Sequence, residues 1–167
     1  TGNQMKDTKL NASLELNYLL IRGLKLSSLA AGSISSLSAH QYATEFSNYA
    51  ANTRGYNYGS VAPGSMEEQF SVLPFGGILA PSNSSVYTYN IRNTAEFNRS
   101  IFREDDQLNV LAGMEIRSVH NDGLDNFIPG YFRERGEGFY ISKNSAELFS
   151  LKRTNNMNNA LSLFSTD

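Results

Sequence analysis

The sequence predicts an all-β fold, an antiparallel meander of about five long strands. Three features carry that expectation. Apolar and polar residues alternate with period 2 over long runs, tight polar turns separate some runs, and long Gly-, Ser- and Asn-rich segments separate others. Period-2 alternation puts apolar side chains on one face of a strand and polar ones on the other. Two such runs around a short turn make an antiparallel hairpin.

The clearest stretch is Val86 to Val119. Tyr87, Tyr89, Ile91, Ala95, Phe97 and Ile101 share one parity, and Thr88, Asn90, Arg92, Thr94, Glu96 and Asn98 share the other. A charged turn, Arg103-Glu104-Asp105-Asp106, follows. The alternation then restarts with Leu108, Val110, Ala112, Met114 and Ile116 against Asn109, Gly113, Glu115 and Arg117. The strands are placed at about 86–102 and 107–119. The first exceeds the ~3–10 residues of an ordinary globular strand. It suits a tilted strand crossing a bilayer, which needs roughly 9–11 residues in the hydrocarbon. Arg92, Glu96, Glu115 and Arg117 make the other parity too polar for a core. One face wants oil and the other water. A transmembrane barrel wall meets that requirement, and so does a soluble antiparallel sheet with one solvated face.

An earlier hairpin has the same grammar. Leu10, Ala12, Leu14, Leu16, Tyr18 and Leu20 alternate with Asn11, Ser13, Glu15, Asn17 and Leu19. Arg22-Gly23 supplies the turn. Leu24, Leu26, Ala30, Gly32 and Ile34 resume the pattern, giving strands at about 9–21 and 24–35. A helix over 8–21 is disfavoured, because apolar positions at period 2 make no helical stripe. Residues 1–8 are polar and read as frayed.

Two long loops are expected at about 36–85 and 120–138, where Gly, Pro, Ser, Asn and Asp accumulate. The first far exceeds the usual connection of ~4–6 residues, which marks it as functional or disordered. A short helix is expected within 40–50. Tyr42, Tyr49, Arg54, Tyr56, Asn57 and Tyr58 offer aromatic faces and polar donors suited to a sugar or peptide, or they simply pack the loop. A last strand is expected at about 160–166. Short turns thus fall at one end of the meander and long loops at the other. Outer-membrane barrels show this asymmetry.

Composition excludes several classes. A net charge of −2 and pI near 5.7 give no basic footprint for nucleic acid. Without cysteine there is no disulfide, thiolate metal site or cysteine nucleophile. No apolar run approaches the ~18 residues of a membrane helix, which leaves β-spans open. His40 and His120, the two histidines, have no catalytic constellation around them and read as surface or loop residues. Asn121-Asp122-Gly123-Leu124-Asp125-Asn126 offers oxygen ligands but lacks EF-hand spacing and reads as a turn. Glu104-Asp105-Asp106 in a short turn reads as solvated, as does the charged segment Arg133, Glu134, Arg135 and Glu137. No enzyme, cofactor or metal is expected. Asn-X-Ser/Thr matches at Asn11 and Asn98 fall inside strands.

Several segments together resemble the SusC/RagA-type TonB-dependent outer-membrane transporters: LPFGGIL, SVYTYNIRNTAEFNRSI, QLNVLAGMEIRS and DGLDNFIPGYFRERGEGF, in that order and spacing. LELNYLLIRGLKL and RTNNMNNALSLFST also resemble barrel strands of that family. The resemblance covers about residues 8–166. It implies part of a large transmembrane β-barrel with long extracellular loops, importing oligosaccharides or peptides across the bacterial outer membrane. The implied partners are the remaining barrel and plug, a SusD-like surface lipoprotein acting as lid, outer-membrane lipid, and the TonB complex, which acts through an N-terminal region this chain lacks. The plug domain is absent too, so the chain reads as an internal barrel fragment. The tyrosine-rich loop residues then become candidates for cargo or lid contact. Arg92, Glu96, Glu115 and Arg117 become lumenal wall candidates, pairing across strands or touching the plug. A soluble β-sandwich or small barrel acting as a carbohydrate-binding module is the alternative.

Overall fold

A computed structural model describes residues 1–100 and 107–166. It contains strands β1 (Gly2–Ile21), β2 (Leu24–Ala43), β3 (Gly77–Ser100), β4 (Gln107–Phe132), β5 (Gly138–Phe139) and β6 (Ser150–Thr166). Helices α1 (Asn48–Arg54) and α2 (Met66–Phe70) lie between β2 and β3, and two 3₁₀ turns, Arg133–Arg135 and Ser145–Leu148, follow β4. All six strands belong to one antiparallel sheet in the order β1-β2-β3-β4-β5, with β6 also paired to β4. Among the described strands, β1 and β6 each have one neighbour.

The all-β meander is as expected, but the strands outrun the expected boundaries. β2 continues through Ala43 and β3 starts at Gly77, so the loop expected over 36–85 narrows to 44–76. β4 continues through Phe132 and absorbs most of the loop expected over 120–138. β1 and β6 start at Gly2 and Ser150, well before the predicted 9 and 160. The reason is that apolar alternation reports only where one face is greasy. Ladder hydrogen bonds need backbone groups alone, and any residue but proline supplies both. The turn at Arg103–Asp106, and residues 101 and 102 of the expected strand 86–102, lie outside the described residues. The expected helix within 40–50 is displaced. Residues 40–43 finish β2, and α1 begins at Asn48 behind the Ser47 cap, whose hydroxyl accepts from the Ala50 N–H at 3.1 Å.

The residues form two compact units. The first comprises Thr1–Asp7, Ser36–Ser84 and Asp122–Thr154; the second comprises Thr8–Ser35, Ser85–Asn121 and Asn155–Asp167. In the first, Ala43, Ala50, Leu73 and Ile78 make a buried cluster against which Phe127 and Leu148 pack. The LPFGG segment is a backbone clasp within it. A side chain at Gly77 would run into the carbonyl of Ala43, and one at Gly76, which has φ +70°, would press on the Gly130 backbone. Only glycine permits both the conformation and the approach. Arg54, at the end of α1, locks the clasp. Its guanidinium donates to the carbonyls of Leu73 (3.1 Å), Glu45 (3.1 Å) and Gly76 (2.8 Å).

The second unit holds none of the buried hydrophobic residues found among the described residues. Its described residues are strand segments and the turn at Arg22-Gly23, with no helix among them.

Candidate functional site

The second unit presents a two-faced sheet. Leu10, Leu14, Leu16, Tyr18 and Leu20 on β1, Leu26 and Ile34 on β2, Tyr87, Tyr89 and Ile91 on β3, Leu108, Val110, Met114 and Ile116 on β4, and Leu161 and Leu163 on β6 are all exposed. Leu14, Tyr89 and Leu163 are 61%, 47% and 77% exposed. Their polar-parity neighbours Ser33, Thr88, Asn90 and Glu115 are half-buried. A soluble sheet with one solvated face shelters its apolar side and wets its polar one. At these positions of β2, β3 and β4 the apolar side is the more open, whereas on β1 and β6 both parities are exposed.

Contacts across the strands fix which residues share the polar face. Arg92 Nε and Nη2 donate to Glu115 Oε2 at 2.9 and 2.5 Å. Ser27 donates to Asn17 at 2.6 Å, and the Phe164 ring lies over Gly113, where any side chain would collide with it. Tyr87 stacks beside His120, with centroids 6.1 Å apart, and this contact and the Arg92–Glu115 pair fit one β3–β4 register. The four wall candidates therefore divide. Arg92 and Glu115 satisfy each other, whereas Glu96 and Arg117 are exposed on the same parity. His120 and His40 both sit on strands, which corrects the loop alternative of the sequence reading. The strand ladder carries them because its bonding ignores side-chain type.

Asn121–Asn126 is likewise strand, not turn. Its carboxylates are occupied: Asp122 faces Arg153 at 3.4 Å, and Asp125 accepts from Ser82 at 2.5 Å. Among the described residues no cluster of three or more His, Cys, Asp or Glu could hold a metal ion.

The tyrosine-rich loop lies in the first unit. Arg54 is 3% exposed and its donors are consumed by three carbonyls, so it is removed as a contact residue for cargo or lid. A buried guanidinium is costly unless its donors are met, and here they are met internally. Tyr56 and Tyr58 lie about 5.7 and 5.6 Å from its charge, in cation–π range. Burial pushes the Tyr56 hydroxyl above its usual pKa, with the nearby Arg54 charge opposing. Tyr58 also meets Phe46 edge-on at 4.7 Å and receives Arg135 at 3.5 Å. Arg135 reaches Glu45 at 3.3 Å, and Arg133 lies 3.9 Å over the Tyr42 ring. These two arginines, read from sequence as merely solvated, tie the loop together. Asn57, Tyr58 and Tyr49 remain exposed.

Beside Tyr49 is an open cavity of about 570 Å³. Tyr49, Phe127, Ile78, Gln41, Asn3 and Tyr42 are among its lining. Asn3, Gln41, Ile78 and Phe127 had no signal as site residues. They come from four separate strands, and only the sheet brings them together.

No protein-family model and no curated protein matches this chain.

Proposed function

We propose that this chain is a wall and loop segment of a transmembrane β-barrel in the bacterial outer membrane, of the SusC-like TonB-dependent type, importing oligosaccharides or peptides. The observation that carries the reading is the exposed apolar parity of the sheet in the second unit. Along β1 that parity is apolar from Leu10 to Leu20 and polar at Thr8, Lys6 and Gln4; along β2 it is apolar to Ile34 and polar at Ser36 and Ser38. A stripe of finite height, about the ~9–11 residues that cross a hydrocarbon layer, fits lipid on one side. The polar parity, half-buried at Ser33, Thr88, Asn90 and Glu115 and carrying the Arg92–Glu115 pair, fits a wet lumen or the plug. One-sided pairing of β1 and β6 fits an open stretch of wall, since closure with further strands is how a membrane sheet removes its edges. In this reading the chain works without catalysis of its own. Its partners are the rest of the barrel and plug, outer-membrane lipid, the TonB complex and a SusD-like lipoprotein meeting the loops.

The test uses the cysteine-free background. Single cysteines are placed in turn at residues 13 to 18 of β1, in protein purified from outer membranes and reconstituted in lipid vesicles. A water-soluble thiol reagent is expected to label Ser13→Cys, Glu15→Cys and Asn17→Cys and to spare Leu14→Cys, Leu16→Cys and Tyr18→Cys. Equal labelling of both parities, or a soluble monodisperse protein without detergent, overturns the reading.

A further inference from the structure

We propose that Arg133, lying over the Tyr42 ring, anchors a site for the phosphate headgroup of a membrane lipid, with His40 and Lys6 beside it on the same sheet face. The inference rests on the membrane reading and adds to it a lipid contact beyond the apolar stripe. All of its residues belong to the first unit.

Strand parity fixes the face. Ala39 and Ala43 of β2 are buried, and Ala43 joins the cluster that holds Ile78. Successive side chains of a strand point to opposite faces, so Ser38, His40 and Tyr42 point away from that cluster. They share the parity of Leu26 and Ile34, which the membrane reading sets against lipid. β1 gives the same answer. A side chain at Gly2 would meet the Tyr42 ring, which sets these two residues opposite each other on one face. Counting along the antiparallel pair then puts Gln4 opposite His40 and Lys6 opposite Ser38. Lys6 in turn shares the parity of Leu10 to Leu20. Where the apolar stripe stops, this parity turns polar and basic. A wall surface that leaves hydrocarbon meets lipid headgroups next, and tyrosine and basic side chains suit that level.

Charge selects what the face takes. The first unit has four arginines, Arg54, Arg133, Arg135 and Arg153. Arg54 donates to backbone carbonyls, Arg135 to Glu45 and Tyr58, and Arg153 faces Asp122. Arg133 alone of the four has no hydrogen-bond or ion-pair partner among the described residues; its guanidinium carbon lies 3.9 Å from the centre of the Tyr42 ring. Contact with the ring occupies a face of the guanidinium and spends none of its five N–H donors. A half-buried cation with unspent donors favours a charged acceptor. Its planar fork matches two oxygens of a phosphate, and the stack orders the side chain before a ligand arrives. Lys6 also has no ion-pair partner among the described residues, and His40 is exposed, its Nε2 3.5 Å from the Ser38 hydroxyl. Asp122, the acid that shares this parity on β4, is answered by Arg153. Glu134 follows Arg133 in its turn, is exposed, and opposes an anion there.

The experiment is native mass spectrometry of the detergent-solubilised protein, titrated with lipids of identical chains. The probes are dioleoyl phosphatidic acid, whose phosphate is bare, dioleoyl phosphatidylcholine, whose phosphate is neutralised by choline, and chainless glycerol 3-phosphate. Phosphatidic acid is expected to bind about tenfold more tightly than phosphatidylcholine, as for a charge-assisted hydrogen-bonded pair. Arg133→Gln should lower that preference to about twofold or less, and Arg133→Lys, which keeps the charge and loses the fork, to about threefold. Glu134→Gln should raise it about twofold by removing an exposed like charge. Arg117→Gln, which removes an exposed cation on the opposite parity, should leave it unchanged. Equal binding of the two lipids, a preference unaltered in Arg133→Gln or Arg133→Lys, or one lowered as far by Arg117→Gln overturns the proposal. Displacement of phosphatidic acid by an equal concentration of glycerol 3-phosphate marks a site for free phosphate and overturns the lipid assignment. Cysteine labelling of β1 reads out separately: parity protection without a phosphate preference sinks only the site, and equal labelling sinks the reading beneath it.

Discussion

The two units treat the same residue types in opposite ways. In the first, small and medium apolar side chains (Ala43, Ala50, Leu73, Ile78) are buried together, and a guanidinium is buried with them, its donors met by three carbonyls. In the second, leucines and tyrosines at regular intervals are exposed on one face, and on β2, β3 and β4 polar residues such as Ser33, Thr88, Asn90 and Glu115 are half-buried on the other. The buried cluster of the first unit follows the rule for a protein solvated by water, while Met66, Phe70 and Leu151 of the same unit stay exposed. The second obeys it only if its solvent on one side is hydrocarbon, where the apolar stripe needs no protein cover.

The sharpest break of that comparison is at Arg54. Arg54→Ala strands three carbonyls and empties a buried space, and is expected to cost the first unit about 4 kcal/mol. Hydrogen exchange should show the amides of α1 and of Leu73–Gly77 losing protection, while the strand amides of Leu10–Leu20 keep theirs. Equal loss in both units would mean that they do not differ in what holds them. Next comes the stripe. Leu14→Arg is expected to cost about 2–4 kcal/mol of the lipid-inserted state, as charges do on the lipid face near mid-bilayer, whereas Ser13→Arg on the opposite parity should cost under about 1. Urea titrations from vesicles measure both. Equal costs would erase the distinction between the faces.

A smaller effect is expected for the Arg92–Glu115 pair. The Arg92 side chain is half exposed, so a double-mutant cycle should return no more than about 1 kcal/mol, falling with added salt. A larger, salt-insensitive coupling would place the pair in a dry environment. The smallest concerns pH. Burial, helped by Glu137, holds the Tyr131 hydroxyl above its ordinary pKa of 10.0. The folded state thus favours the neutral phenol. Its contribution is fully present below about pH 10 and is lost as pH rises through the raised value, because the unfolded chain sheds its proton first. Ultraviolet titration should show Tyr131 ionising late, and exchange protection at Tyr131–Phe132 should fall across that window.

How much was legible beforehand follows the same divide. The alternation at Leu10–Leu20, Tyr87–Ile91 and Leu108–Ile116 placed the strands of the second unit and the side of each that is apolar. It missed where strands end, as at Ala43, Gly77 and Phe132, since residues such as His40, Asp122 and Asn126 carry no apolar period. It nominated Arg54 for ligand contact by residue type. Type cannot distinguish a guanidinium facing solvent from one whose donors are taken by the carbonyls of Glu45, Leu73 and Gly76. Gly76 and Gly77 stood out only as a motif, and the reason for them, close approach to Gly130 and Ala43, is a contact between distant segments.

What the sequence by itself determined is the two-faced character of the long strands, because side-chain direction in a strand is set by residue parity and needs no partner. What only the tertiary structure decided is which loop residues are locked and which are free, and that Asn3, Gln41, Tyr49, Ile78 and Phe127 line one cavity. Those facts depend on strand register and chain reversal, which join residues far apart in sequence through contacts that no local pattern encodes.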